Sequence, residues 1–276
     1  MKSKRLNLLF CLCSITLIIA SCSSPVEKAE DARTKAKSAF ETEIVKAQAS
    51  LNDLNAEINT LLDSMPAMAV TDTFVDLPDH LWFIPLMRDN SVPQRKPDPQ
   101  FNAMYISTTA KGGALPKGMK KDYFESDSYL DLQELAKGSP ARKYGESPDA
   151  NGVESISTYA RSLMVANQLQ KMRYIVVVHY LSFDAGSLDY YAQTLVPATM
   201  EARVMVYDRT TKKVCGVKQV SVEGTQEFSR KYNTQTTSEV QNESQVRDEF
   251  ENLNKVSIVS SVLRSIVPGA QMGMMR

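Results

Sequence analysis

The sequence is poor in the side chains that most often carry chemistry. Histidine occurs twice, as His80 and His179, and tryptophan once, as Trp82. No H-E-x-x-H, no C-x-x-C and no His/Cys cluster is present, which argues against a built-in zinc site and leaves no cofactor-binding motif. The G-x-S-x-G elbow and the S-x-x-K serine–lysine motif are missing too, so the common serine nucleophiles have no local signature. Charge of one sign is also lacking: 32 Lys and Arg balance 32 Asp and Glu. Such a chain has no electrostatic reason to seek nucleic acid.

A run of apolar residues long enough to span a bilayer is likewise absent. After Lys2, Lys4 and Arg5 comes the uncharged stretch Leu8 to Ala20. As a helix it reaches ~20 Å at ~1.5 Å per residue, short of the ~30 Å hydrocarbon core. That length suits the apolar region of a signal peptide. The run ends Ile19-Ala20-Ser21-Cys22, an aliphatic residue, two small residues and a cysteine. This pattern resembles the lipobox of bacterial lipoproteins. The resemblance implies a diacylglyceryl thioether on Cys22, cleavage after Ser21, and a fatty acyl group on the new amino terminus. Several acyl chains give lasting attachment where one is marginal. Ser23, in place of the Asp that retains lipoproteins at the inner membrane, favours the outer membrane of the cell envelope. The plainer alternative is an ordinary signal peptide with a chance cysteine.

Cysteine is scarce beyond this point. Cys11 and Cys13 leave with the leader and Cys22 carries lipid, so Cys215 is left without a partner for an internal disulfide. It lies in the strand-like "KKVCGVKQVSV", where a small buried hydrophobe is expected and a reactive thiol is the sharper alternative. Loss of three cations with the leader leaves a net charge of about −3.

The chain reads as four stretches: residues 1–21 as signal peptide, 22–65 as anchor cysteine and amphipathic helix, 66–152 as a Pro/Gly-rich irregular segment, and 153–276 as an α+β domain. Residues 26–64 contain no glycine and no proline and are dominated by good helix formers. Phe40, Ile44, Ala47, Leu51, Leu54, Ile58 and Leu61 recur in steps of four and three, a heptad stripe. Two readings stay open. The 40–61 stripe pairs with another chain, as a coiled-coil spacer or self-association helix, or it lies on its own domain. Residues 66–152 hold nine of the twelve prolines and six of the eleven glycines. Two short strands are expected there, His80 to Leu86 and Ala103 to Thr108, with a short helix from Asp127 that stops at Gly138.

The last stretch is more regular. A helix over residues 153–172 precedes the continuous strand "RYIVVVHYLSF". "ATMEARVMVYD" and "KKVCGVKQVSVEG" alternate and form an antiparallel hairpin through "DRTT". Ser238 and Gln241 make a capping box for a final helix that stops before Pro268-Gly269, its second half apolar almost all round. This order predicts an α+β fold: a helix-backed, mainly antiparallel sheet preceded by a long heptad-patterned helix after the lipid anchor. The stretch from Tyr174 through the hairpin is similar to small periplasmic lipoprotein domains of unassigned activity, and carries over no catalytic residues.

Four further patterns invite chemistry. Cys215 and His179 form a conceivable nucleophile–base dyad, against the plainer reading of two strand residues in a core. "KGGALPKGMKK" has the glycine spacing of a phosphate loop, but Met119 stands where lysine is needed, so a flexible basic loop is expected. "FDAGSLDYY" brings Asp184 and Asp189 around Gly186 without calcium-loop spacing, which favours a strand-linking turn. The aromatic groups "LWFIP" and "DYYAQ" fit either a groove or a core. No catalytic, cofactor or metal residues emerge, and Cys22 is the one assigned site. The expectation is a non-enzymatic, lipid-anchored binding or assembly module of the envelope. An envelope enzyme with a dispersed active site and a structural spacer are the alternatives.

Overall fold

The computed structural model describes residues 25–83, 101–111, 114–119, 123–124, 127–141, 155–189, 194–226, 239–267 and 271–272. The leader and Cys22 lie outside these, as do the predicted caps Ser238 and Pro268-Gly269.

Helix α1 runs unbroken over Pro25–Ser64. Pro25 opens it at a position whose missing N–H is no loss, and a 3-10 turn, Met65–Ala67, closes it with Pro66. The whole stripe from Phe40 to Leu61 is buried, together with Leu62. It packs on helices α2 (Asp127–Ala136) and α3 (Ile156–Lys171) and on one sheet face. The chain itself therefore covers the stripe, as the second of the two readings has it. The flanking polar residues serve the same packing. Gln48 donates to the Ala136 carbonyl at the end of α2, and the Tyr129 hydroxyl donates to Asn59 Oδ1 at 2.9 Å. Gly138, at φ +81°, turns the chain out of α2 in the left-handed conformation that glycine adopts freely. Before Phe40 only Arg33 and Ala36 are half-buried, so the first turns of α1 stand in solvent.

Among the described residues the main sheet has six strands: β1 (Trp82–Phe83), β2 (Ala103–Ser107), β3 (Tyr174–Asp184), β6 (Thr199–Asp208), β7 (Lys213–Glu223) and β8 (Gln271–Met272). Their order across the sheet is β7-β6-β3-β2-β1-β8. The long β3–β6 and β6–β7 pairings are antiparallel, so by paired length the sheet is mainly antiparallel, as expected. The shorter β1–β2, β2–β3 and β1–β8 pairings are parallel. Strands β1 and β2, from the Pro/Gly-rich segment, thus join the same sheet as the hairpin. A two-stranded ribbon, β4 (Ser187–Asp189) with β5 (Thr194–Val196), stands beside it.

Helices cover both faces of the sheet. Ile175 and Val177 of β3 face the layer of α1, α2 and α3. Tyr174, Val176, Val178 and Tyr180 face the other side, where α4 (Glu239–Ile266) brings Ile258, Val259, Val262 and Leu263. Double cover explains why the first half of β3 is continuously apolar rather than alternating. The outer edge of β7 is partly occupied by an extended segment that follows α1. Thr71 N–H donates to the Val217 carbonyl at 2.6 Å, Val217 N–H to Thr71 Oγ1 at 3.0 Å, and Val75 N–H to the Cys215 carbonyl at 2.9 Å. Gly216 allows this approach, since a Cβ there would lie 2.8 Å from the Thr73 carbonyl oxygen.

Candidate functional site

Two ion-pair clusters stand at one end of the sheet, one within it and one joining it to α1. The buried Asp208, at the end of β6, receives Arg173 through Nε at 3.2 Å and Nη2 at 2.8 Å, and Thr210 N–H at 2.8 Å. The Arg173 guanidinium and these donors hold the Asp208 carboxyl below the usual carboxylate range. Glu57 of α1 is the second hub. It accepts from the Tyr207 hydroxyl at 2.7 Å, Arg209 Nε at 3.0 Å and Lys212 Nζ at 2.5 Å. Burial pushes the Glu57 carboxyl up, but the three donors outweigh it and the net direction is down. The Tyr207 phenol is pushed up to about 12 by burial and by its bond to Glu57. Every charge here has a partner within the fold, so the Glu57 cluster reads as a fastener between α1 and the β6–β7 turn, and the Asp208 cluster as one between the start of β3 and the end of β6.

The residues singled out in the sequence are dispersed. Cys215 is buried in the α4-side core, and burial pushes its thiol up, away from the reactive thiolate. His179 alternates to the opposite face from Val178 and Tyr180, lies two strands from Cys215, and pairs in register with Arg203. Its Nδ1 sits 3.0 Å from Thr108 Oγ1. The two residues do not form a dyad. Met119 is buried, and Lys111 of the basic loop pairs with Asp63 at 2.8 Å. The other loop lysines divide: Lys117 is exposed, while Lys120 and Lys121 lie outside the described residues.

Asp184 Oδ1 accepts Gly186 N–H at 2.9 Å, and Asp189 continues into β4, the geometry of a strand-linking turn. Gly186 has φ +65°, and a Cβ there would meet the Val196 carbonyl oxygen at 2.3 Å. Among the described residues no group of three His, Cys, Asp or Glu is placed to hold a metal ion. In "LWFIP", Leu81 and Phe83 are core residues and Trp82 is half-buried. His80 is exposed, and Tyr190–Gln193 of "DYYAQ" lie outside the described residues.

A cleft does form, partly from the FDAGSLDYY stretch and partly from residues the sequence left unremarked. It lies between the middle of α4 and the β3–β4 turn and has a volume of about 240 Å³. Tyr123, Phe183 and Phe250 supply aromatic surface, with Tyr123 and Phe183 edge-to-face at 5.1 Å between ring centres. Arg247, Glu251 and Lys255 follow one another at four-residue intervals along its α4 wall. Burial and the Glu251 carboxylate push the Tyr123 phenol up to about 12, so its hydroxyl stays protonated at neutral pH. Only Phe183 had a visible signal, as the last aromatic of a strand that runs into a Gly turn. A concave aromatic surface with a few polar groups has the composition of a small-ligand site. No protein-family model, characterised protein or solved structure was found to match this chain.

Proposed function

We propose that this protein is a lipid-anchored bacterial envelope lipoprotein whose folded domain acts as a non-enzymatic binding or assembly module, with the outer membrane as its favoured location. The observation that carries the reading is Ile19-Ala20-Ser21-Cys22 at the end of a short apolar run. A feature of the fold supports it. α1 begins at Pro25, three residues after Cys22, and its solvent-exposed turns up to Ala39 would hold the domain roughly 20 Å from the acyl chains at ~1.5 Å per residue. Among the described residues no helix is long and apolar enough to cross a membrane. The cleft beside α4 is the place where a ligand would sit.

Metabolic labelling with a fatty-acid analogue tests the anchor. Wild type should carry label and fractionate with membranes, and Cys22→Ala should lose the label. Label that persists in Cys22→Ala overturns the reading.

A further inference from the structure

The sheet face under α1 carries an unbalanced positive charge just past the end of that helix. Ile175, Val177, Met205 and Val217 lie buried beneath the helical layer. The next row on the same face is His179, Arg203 and Gln219, in register on β3, β6 and β7. Cover fades along it. His179 and Arg203 are half-buried, Gln219 is exposed, and so are Glu201 and Ser221 in the row beyond. This is the opposite face of the sheet from the cleft beside α4.

Arg203 Nη1 donates to a neutral acceptor, the Pro66 carbonyl, at 3.2 Å. Its Nε is buried without a hydrogen-bond partner, and among the described residues Arg203 has no ion-pair partner. Arg209, by contrast, holds Glu57 at 3.0 Å. A guanidinium that has lost hydration regains stability from a charged acceptor, and a buried donor without one points to a bound ion or water. His179 adds to the imbalance. Directly opposed side chains on paired strands start ~5 Å apart, so one small group can touch both. Thr108 Oγ1, 3.0 Å from His179 Nδ1, positions the ring. Burial and then Arg203 hold the imidazole below its ordinary titration range, so the ring is neutral at neutral pH and gains a second positive charge in acid. The neighbours of His179 offer no free acid in this row: Thr108 is uncharged, Arg203 is a cation, and Glu201 stands one row out in solvent. Asp63, at the end of α1, is taken by Lys111 at 2.8 Å.

We infer that Arg203 and His179 together bind a single oxyanion, a carboxylate or a phosphate group, on the sheet face beyond the end of α1. The site extends the binding-module reading and does not depend on the lipid anchor. With the Thr108 hydroxyl donating to Nδ1, the neutral ring keeps its proton on Nε2, the donor left for the anion.

The chain's two histidines make the test direct, with exposed His80 as internal reference. Histidine-ring NMR of the full chain in a non-ionic detergent follows both titrations in acetate, in phosphate and in chloride at equal ionic strength. An anion bound beside the ring favours its protonated form, so acetate or phosphate should raise the His179 midpoint over that in chloride by about half a pH unit or more. The larger of the two effects identifies carboxylate or phosphate as the ligand group. Arg203→Gln should itself raise the midpoint in chloride and abolish the further rise. An equal midpoint in all three anions, the same rise at His80, or a full rise in Arg203→Gln would each overturn the assignment. The wild-type comparison stands by itself should Arg203→Gln fail to fold. Failure here with Cys22 still labelled removes only this site. Loss of Cys22 labelling removes the anchor and leaves the titration result standing.

Discussion

Asp208 shows how one residue holds several elements. Its carboxylate is 2% exposed and reaches Arg173 before β3 and the amide of Thr210 in the turn after β6. Arg173 is 48% exposed, so solvent screens the pair, and its guanidinium also stands 4.9 Å from the centre of the Tyr174 ring. Asp208→Asn keeps the shape but leaves these donors facing an amide, and should cost about 2 kcal/mol at pH 7. The sign of the pH dependence follows from the direction of the shift. The folded-state carboxyl titrates below its ordinary 3.8, so the unfolded chain takes up its proton first as pH falls. The stability contributed by Asp208 is thus complete above the ordinary value and is lost as pH falls through the folded one. Urea melts of both forms at pH 7 and near pH 3 should show the gap narrowing in acid. A gap of the same size at both pH values would remove the ion pair as its cause.

At the scale of elements, α1 makes the clearest case. Leu51 and Leu54 are fully buried against the chain's own helices and sheet. Leu51→Glu with Leu54→Glu should cost several kcal/mol and lower the melting temperature sharply. Val45, 73% exposed on the same helix, serves as control, and Val45→Glu should change stability by less than about 0.5 kcal/mol. Thermal melting compares the two, and an equal effect would mean the stripe is not what holds the helix. This element was legible because a period of 3.6 writes itself along contiguous sequence, from Phe40 to Leu61. The β6–β7 hairpin was legible for a related reason: Ala202, Val204 and Val206 alternate, and the turn sits beside them. Pairing of β2 with β3 left no such trace, because parallel partners sit far apart in the chain with no turn between them. The cleft was hidden for the same reason. Tyr123, Phe183 and Phe250 come from three distant stretches, and each alone reads as an ordinary core aromatic.

For the whole molecule, the contrast within α1 sets a gradient of stability. Its first turns have little tertiary cover, and isolated helical turns are marginal in water. From Ile44 to Leu62 the same helix is part of a core shared with α2, α3 and the sheet. Hydrogen exchange on the full chain should find fast exchange over residues 28–38 and slow exchange over 44–62, with no break in the helix between them. Uniform protection along the whole helix would mean that something else covers its first turns. The fasteners at Glu57 lie in the slow part, so opening of the first turns should leave the β6–β7 turn in place.

The extended segment that crosses β7 has a consequence for how copies of this chain behave together. An uncovered outer strand is a template on which a neighbouring molecule can add its own strand, and growth of that kind propagates. Thr71 and Val75 take up the sites at Val217 and Cys215 first, and the bare Cα of Gly216 lets them come close enough to do so. If the chain is anchored through Cys22 as proposed, copies held on one surface would meet edge to edge far more often than copies free in solution. The few residues after α1 would then block strand addition at this edge, and any side chain at position 216 would loosen them.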